Sequence, residues 1–248
     1  MAAALVLAGA LLAGIAVWVS NAGRSADRWD DDSRTVGITP ANVRPGSQAP
    51  AAVAQPVPAA DLVPGWADRN ARTVGVPARA LHAYALTDVV LRTEAPRCRL
   101  SWTTLAGIGR VESNHGRFAG ARLDADGRPS RPIVGVPLDG SPGVREIPDT
   151  DGGRFDGDNA HDRAVGPMQF IPSTWARWAS DGDGDKLADP HDLDDAALAA
   201  GRYLCDKGRD TATAAGWWAA VLAYNNSVDY GQRVFGVADT YARSIPPG

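Results

Sequence analysis

The chain is short of several residue types, and each shortage narrows what it can be. Of its 248 residues only two are cysteines, Cys98 and Cys205, and nothing near either one suggests a nucleophile or a metal ligand. Charge of one sign is lacking too: 25 Lys+Arg face 29 Asp+Glu, a formal net charge of -4 with no block of like charges. That balance argues against a protein that holds nucleic acid by neutralising phosphates. No internal repeat is present, and the composition excludes a collagen, a coiled coil or a polytopic membrane protein. Lys186 and Lys207 are the only lysines, and Glu94, Glu112 and Glu146 the only glutamates. A catalytic glutamate therefore has few places to be. What remains, 44% hydrophobic with 27 Gly and 18 Pro, suits one globular domain plus some unstructured chain.

The one long apolar run is Ala2 to Val19, AAALVLAGALLAGIAVWV. It has the length of a marginal membrane span and exceeds the usual apolar region of a signal peptide. Residues 1–20 are therefore expected to be a transmembrane anchor or a signal peptide. Either would attach the chain to the cytoplasmic membrane or export it, and place it extracytoplasmically in the cell envelope. For an exported chain the economical reading of Cys98 and Cys205 is a disulfide. From Asn21 to about Ala60 large apolar residues are scarce and five prolines recur, which predicts a linker over 21–60 and a folded domain over 61–248.

Within that domain the pattern is helical. Helices are expected over PARALHAYALTDVVLRTEA after Val76, over Trp102 to Asn114, over Ser173 to Ala179 with Ser173 as N-cap, and over Leu193–Cys205, Ala214–Tyr224 and Val228–Arg243. Between Phe118 and Asp162 a Gly, Pro and Asp-rich stretch lacks periodicity; a functional insertion or flexible lid is expected there, with a small hairpin around Ile133 to Val144. The fold class is mainly α.

In SWTTLAGIGRVESNHGRF, Leu105, Ile108 and Glu112 share one helical stripe. That places a carboxyl on the apolar side, where lost hydration raises its pKa toward what a general acid needs. The alternative is a surface ion pair with Arg110 or Arg117.

Four segments in order carry a resemblance: the helix ending Glu-Ser-Asn-His-Gly, AVGPMQFIPSTW (Ala164 to Trp175), the Asp-rich DGDGDKLADP, and AYNNS (Ala223 to Ser227). Together they resemble a lytic murein transglycosylase of the membrane-bound B type in its actinobacterial form, from about Asp61 to Ile245. The resemblance implies a lysozyme-like, goose-type helical domain acting on peptidoglycan glycan strands, with other cell-wall enzymes as candidate partners and no cofactor required. It implies Glu112 as the single acid and base, with Ser113, Gly166, Met168, Gln169, Phe170, Tyr203, Tyr224 and Asn225 as substrate contacts. The chain departs from the family in having Ala160 where related enzymes carry a serine that assists the glutamate, with His161 and Asp162 as compensating candidates. His82, His115 and His191 are read as structural.

Asp181, Asp183 and Asp185 alternate as oxygen ligands do in an EF-hand loop, with the Leu187 carbonyl next in the series. Lys186 replaces the usual turn glycine, and the resemblance implies a longer loop closed by Asp195. A structural calcium ion is the expected occupant, against a solvated turn that caps the Leu193 helix. Two rival functions stay open: a lysozyme-like hydrolase and a non-catalytic cell-wall binding module.

Overall fold

A computed structural model describes residues 38–53 and 56–245. The apolar run of residues 1–20 lies outside them; among the described residues no helix is long and apolar enough to cross a membrane. The fold is mainly α, as the periodicity predicts. Seven α-helices are present among the described residues: α1 (Val63–Val74), α2 (Ala78–Glu94), α3 (Trp102–Ser113), α4 (Pro172–Trp178), α5 (Leu193–Leu204), α6 (Ala214–Tyr224) and α7 (Val228–Ser244).

Helix α3 is the centre. Leu105, Ala106 and Ile108 are fully buried, and Gly107 and Gly109 let neighbours approach closely. It is enclosed by α2, α5 and α7, so it is apolar on more than one face, as a helix inside a bundle must be. The Ser101 side chain caps it by accepting the Thr103 N–H, and the buried Asp88 carboxylate accepts the Trp102 N–H at 2.8 Å. At its other end Asn114, His115 and Gly116 all take positive φ, stopping the helix directly after Glu112 and Ser113.

Several expectations are corrected. Of the segment read as linker, the described residues 38–53 and 56–60 are docked: Val43 and Val57 are buried, and the stretch bonds to α2, α6 and α7. Its prolines suit an extended strap, and scattered small apolar residues suffice to seat it. Helix α1 was not anticipated; it opens with Pro64 in its first turn and ends at Gly75 in the left-handed region. Ser173 does not cap α4, because Pro172 already occupies the first turn and Ile171 is the N-cap.

Of the hairpin expected around Ile133 to Val144 only a short turn forms, closed by the antiparallel bridge Asp139–Glu146, and the strand before it takes a longer-range partner. Strand β1 (Val134–Pro137) runs antiparallel to β2 (Arg163–Val165). Between them the chain folds into turns in which its aspartates bond its own backbone. Asp149 Oδ1 accepts the N–H groups of Asp151, Gly152 and Gly153; Asp151 accepts those of Arg154 and Phe155; Asp158 accepts those of Ala160 and His161. Such turns form wherever a short carboxylate can reach the next two or three amides. The Cys98–Cys205 disulfide is formed, tying the loop before α3 to the end of α5.

Candidate active site

Glu112 projects from the last turn of α3, partly exposed, with its carboxyl packed about by protein. Burial pushes that carboxyl up to about 8, against a weaker opposing pull from one hydrogen bond: the Tyr230 hydroxyl donates to Glu112 Oε1 at 2.6 Å. Tyr230 is itself buried, in the first turn of α7. Its place follows from AYNNS, because Ser227 caps α7 by accepting the Tyr230 N–H. Burial first, and the neighbouring Glu112 second, raise the hydroxyls of Tyr224 and Tyr230. Arg110 and Arg117 do not reach Glu112; both turn to Asn114. The surface-ion-pair reading therefore fails, and the stripe reading holds.

The segment packed against the end of α3, where Ser113 reaches Pro167 O, continues from the two-stranded ribbon. Val165 and Phe170 exchange both backbone hydrogen bonds at 2.9 Å, and the Gly166 N–H donates to Ile133 O. Gly166 has φ +74°, and a Cβ there would lie 1.8 Å from the Pro190 carbonyl oxygen. Only glycine allows the acidic loop to close against this turn.

The residues expected to touch substrate divide into those that reach a surface and those that support it. Ser113 is buried; its hydroxyl donates to Pro167 O at 2.6 Å and accepts the Gly116 N–H. Met168 and Phe170 have no exposed surface and lie behind the wall rather than on it. Gln169, in a left-handed conformation, spends its amide on Gly166 O at 2.9 Å. Tyr224 is buried and donates to Met168 O at 2.8 Å. Asn225 is buried, and its Nδ2 has no hydrogen-bond partner, an unpaired donor that costs stability wherever it occurs.

Tyr203 alone of the expected aromatics is half-exposed. It donates to Ala223 O and lies between Trp178 (5.4 Å) and Tyr224 (5.8 Å), while Tyr224 meets Phe170 at 5.9 Å. An aromatic file thus runs from the surface inward to the neighbourhood of Glu112.

Of the compensating candidates, Asp162 is committed to Thr150, accepting from both its N–H and its hydroxyl. His115 is fully buried between the hydroxyls of Tyr84 (3.3 Å) and Tyr241 (3.1 Å), and burial holds its pKa well below the usual imidazole value. It fills the structural role read for it.

Tyr230 is the site residue that sequence reasoning missed. A tyrosine three residues past a capping serine looks like any core aromatic; only the crossing of α3 and α7 makes it a partner of Glu112.

In the acidic loop the carboxylate oxygens of Asp181, Asp183 and Asp185 lie within 4.8 Å of one another, exposed. Asp195 is buried and closes the loop by accepting the Gly182 and Asp189 N–H groups at 2.6 and 2.8 Å. Leu187 is exposed, its N–H donated to Asp185. Burial, reinforced by neighbouring carboxylates, raises Asp195 to about 6 and Asp192 to about 7. Asp192 Oδ2 is buried with no hydrogen-bond partner, although Arg128 Nε stands 3.7 Å away. Three converged hard oxygen donors and an under-satisfied carboxylate at their border fit a divalent cation of the calcium type.

Comparison with known proteins now adds to the geometry. Residues 162–234 match a family model described as a transglycosylase SLT domain. No curated protein and no solved structure gave a match. The matched stretch holds the GPMQF turn, the acidic loop and AYNNS, and it ends just after Tyr230. The mainly α architecture is consistent with a lysozyme-like SLT domain, and the match supports a lytic-transglycosylase-like protein directed at peptidoglycan.

Proposed function

We propose that the protein is a peptidoglycan lytic transglycosylase that cleaves the β-1,4 bond between N-acetylmuramic acid and N-acetylglucosamine, with Glu112 serving as acid and then base. The observation that carries this is one contact. Glu112 lies outside the matched stretch, yet the fold brings it against that stretch through Tyr230.

At neutral pH a carboxyl raised to about 8 is mostly protonated and can give its proton to the glycosidic oxygen as the bond breaks toward an oxocarbenium-like centre. The resulting carboxylate is the form that the Tyr230 hydroxyl stabilises. As a base it would take the proton of the C6 hydroxyl of the same muramic acid, which closes on C1 to give the 1,6-anhydro sugar. An internal hydroxyl held in place has a high effective concentration, so no water and no second carboxylate are needed. Two facts support the single-carboxylate scheme. The shift at Glu112 has burial and Tyr230 as its causes, with no carboxylate among them. The aspartates that could supply a second group, Asp149, Asp151, Asp156, Asp158 and Asp162, are occupied with backbone and Thr150 bonds.

Tyr203 and Trp178 supply a half-exposed aromatic surface suited to a sugar face, and the unpaired Asn225 Nδ2 marks where a polar partner is missing. A calcium ion, if bound, would be held by Asp181, Asp183 and Asp185 with Asp195 closing the loop, and would supply rigidity. Through Pro190 and Gly166 that rigidity reaches the turn packed against the end of α3. The N-terminal apolar run would hold the enzyme at the outer face of the membrane, within reach of the wall.

Mass spectrometry of muropeptides released from purified peptidoglycan by the full chain and by Glu112→Gln tests the reading. Anhydro-muropeptides from the wild type alone are expected. Products heavier by one water would instead make it a hydrolase, and binding to the wall without release a non-catalytic module.

A further inference from the structure

Helix α7 has two faces with different employment. Its inner face carries Tyr230, Val234 and Ala238, all buried. The outer face is held by the strap: Arg233 donates to Ile38 O, the Ala41 N–H donates to Gln232 O at 3.1 Å, Gln232 Nε2 donates to Val43 O at 2.9 Å, and the Ala51 N–H donates to Asp239 Oδ1 at 2.8 Å. Trp218 of α6 adds a bond to Gln48 O at 3.0 Å. Gln232 and Arg233 lie two and three residues beyond Tyr230, so the first strap bonds fall on the same helical turn as the Glu112 contact.

We propose that the strap, residues 38–53, is a positioning element for the catalytic acid: by clamping the outer face of α7 it keeps the Tyr230 hydroxyl on Glu112. This rests on the reading of Glu112 as the acid. Over its second half, Pro50 to Val53, with Pro56 beyond, border an open cleft of about 430 Å³ that is also lined by Asp88, Arg92, Ser101, Thr103 and Trp217. The strap is held to α7 by these hydrogen bonds together with the packing of Val43 and Ala41, and the two bonds made by the Gln232 and Asp239 side chains can be removed by substitution without touching the buried face of α7. The ionisable groups acting with Glu112 are Tyr230 from α7 and Tyr224 from the end of α6. A shift of α7 alone would change the balance.

The experiment measures kcat and KM of the full chain on solubilised glycan strands from pH 5 to 9, together with thermal unfolding. It compares wild type, Glu112→Gln, Tyr230→Phe, the double variant Gln232→Ala with Asp239→Ala, and Asp239→Asn. The double variant is expected to lose about three- to tenfold in kcat, the scale of one weakened charge-assisted hydrogen bond, with KM unchanged. Its alkaline limb should move to higher pH, as in Tyr230→Phe, because a lost donor leaves the acid holding its proton more tightly. Asp239→Asn still offers an acceptor to Ala51 and should keep the wild-type limb. A double variant with an unmoved limb, whether or not its unfolding temperature falls, overturns the proposal. Full activity in Glu112→Gln overturns the reading of Glu112 and the strap proposal with it.

Discussion

Two regions of the molecule hold carboxyls lifted above their ordinary range, and they do so by different means. At Glu112 the cause is burial alone, tempered by a single neutral hydroxyl. In the acidic loop Asp192 and Asp195 are raised by burial as well, but also by each other's neighbours, and each accepts backbone N–H groups. A solitary desolvated carboxyl is a store for one proton. Crowded carboxylates wired into a turn are lifted by their mutual repulsion as well, and a cation that neutralises them would displace the protons they hold.

Substitutions that act on one region and spare the other put this contrast to the test. The largest effect is expected from Glu112→Gln, which keeps the shape and removes the proton: release of glycan fragments should fall about 10²–10⁴-fold, read by chromatography of soluble muropeptides, while folding is retained. Reducing the Cys98–Cys205 disulfide acts on neither region directly. It reopens a loop spanning 107 residues and should cost about 3–5 kcal/mol in chemical denaturation.

Calcium added at about a hundredfold over its dissociation constant should stabilise the chain by about 2.7 kcal/mol, seen as a raised unfolding temperature. Asp183→Asn should abolish that response and leave the Glu112 chemistry in place. The smallest effect is expected from Tyr230→Phe, a loss of about tenfold in rate with the alkaline limb displaced upward. An equal loss at every pH would mean that the hydroxyl only fills space.

Much of this contrast was legible in the residues. The spacing of Leu105, Ile108 and Glu112 put the acid on the apolar stripe, and the alternation of Asp181, Asp183 and Asp185 brought their carboxylates together, because both are local patterns that a helix or a tight turn converts directly into geometry. Long-range partners were not legible. Tyr230 meets Glu112 from 118 residues away, and β1 pairs with β2 across a loop rather than closing its own hairpin. The strap misled for a related reason: its proline-rich composition describes an extended chain whether it is free or docked, and only Val43, Val57 and their partners distinguish the two. Ser113 and Met168 stand in the segments that carry the resemblance, yet both are buried, and burial is settled by packing that a short segment does not encode.

The central claim is that Glu112 works as a protonated acid because the fold withholds water from it. Its most direct test is the pH dependence of kcat/KM on solubilised glycan strands. A general acid must carry its proton, so activity should hold through neutrality and fall as pH rises through about 8. A descending limb at the ordinary carboxylate range of about 4–5 would contradict the account.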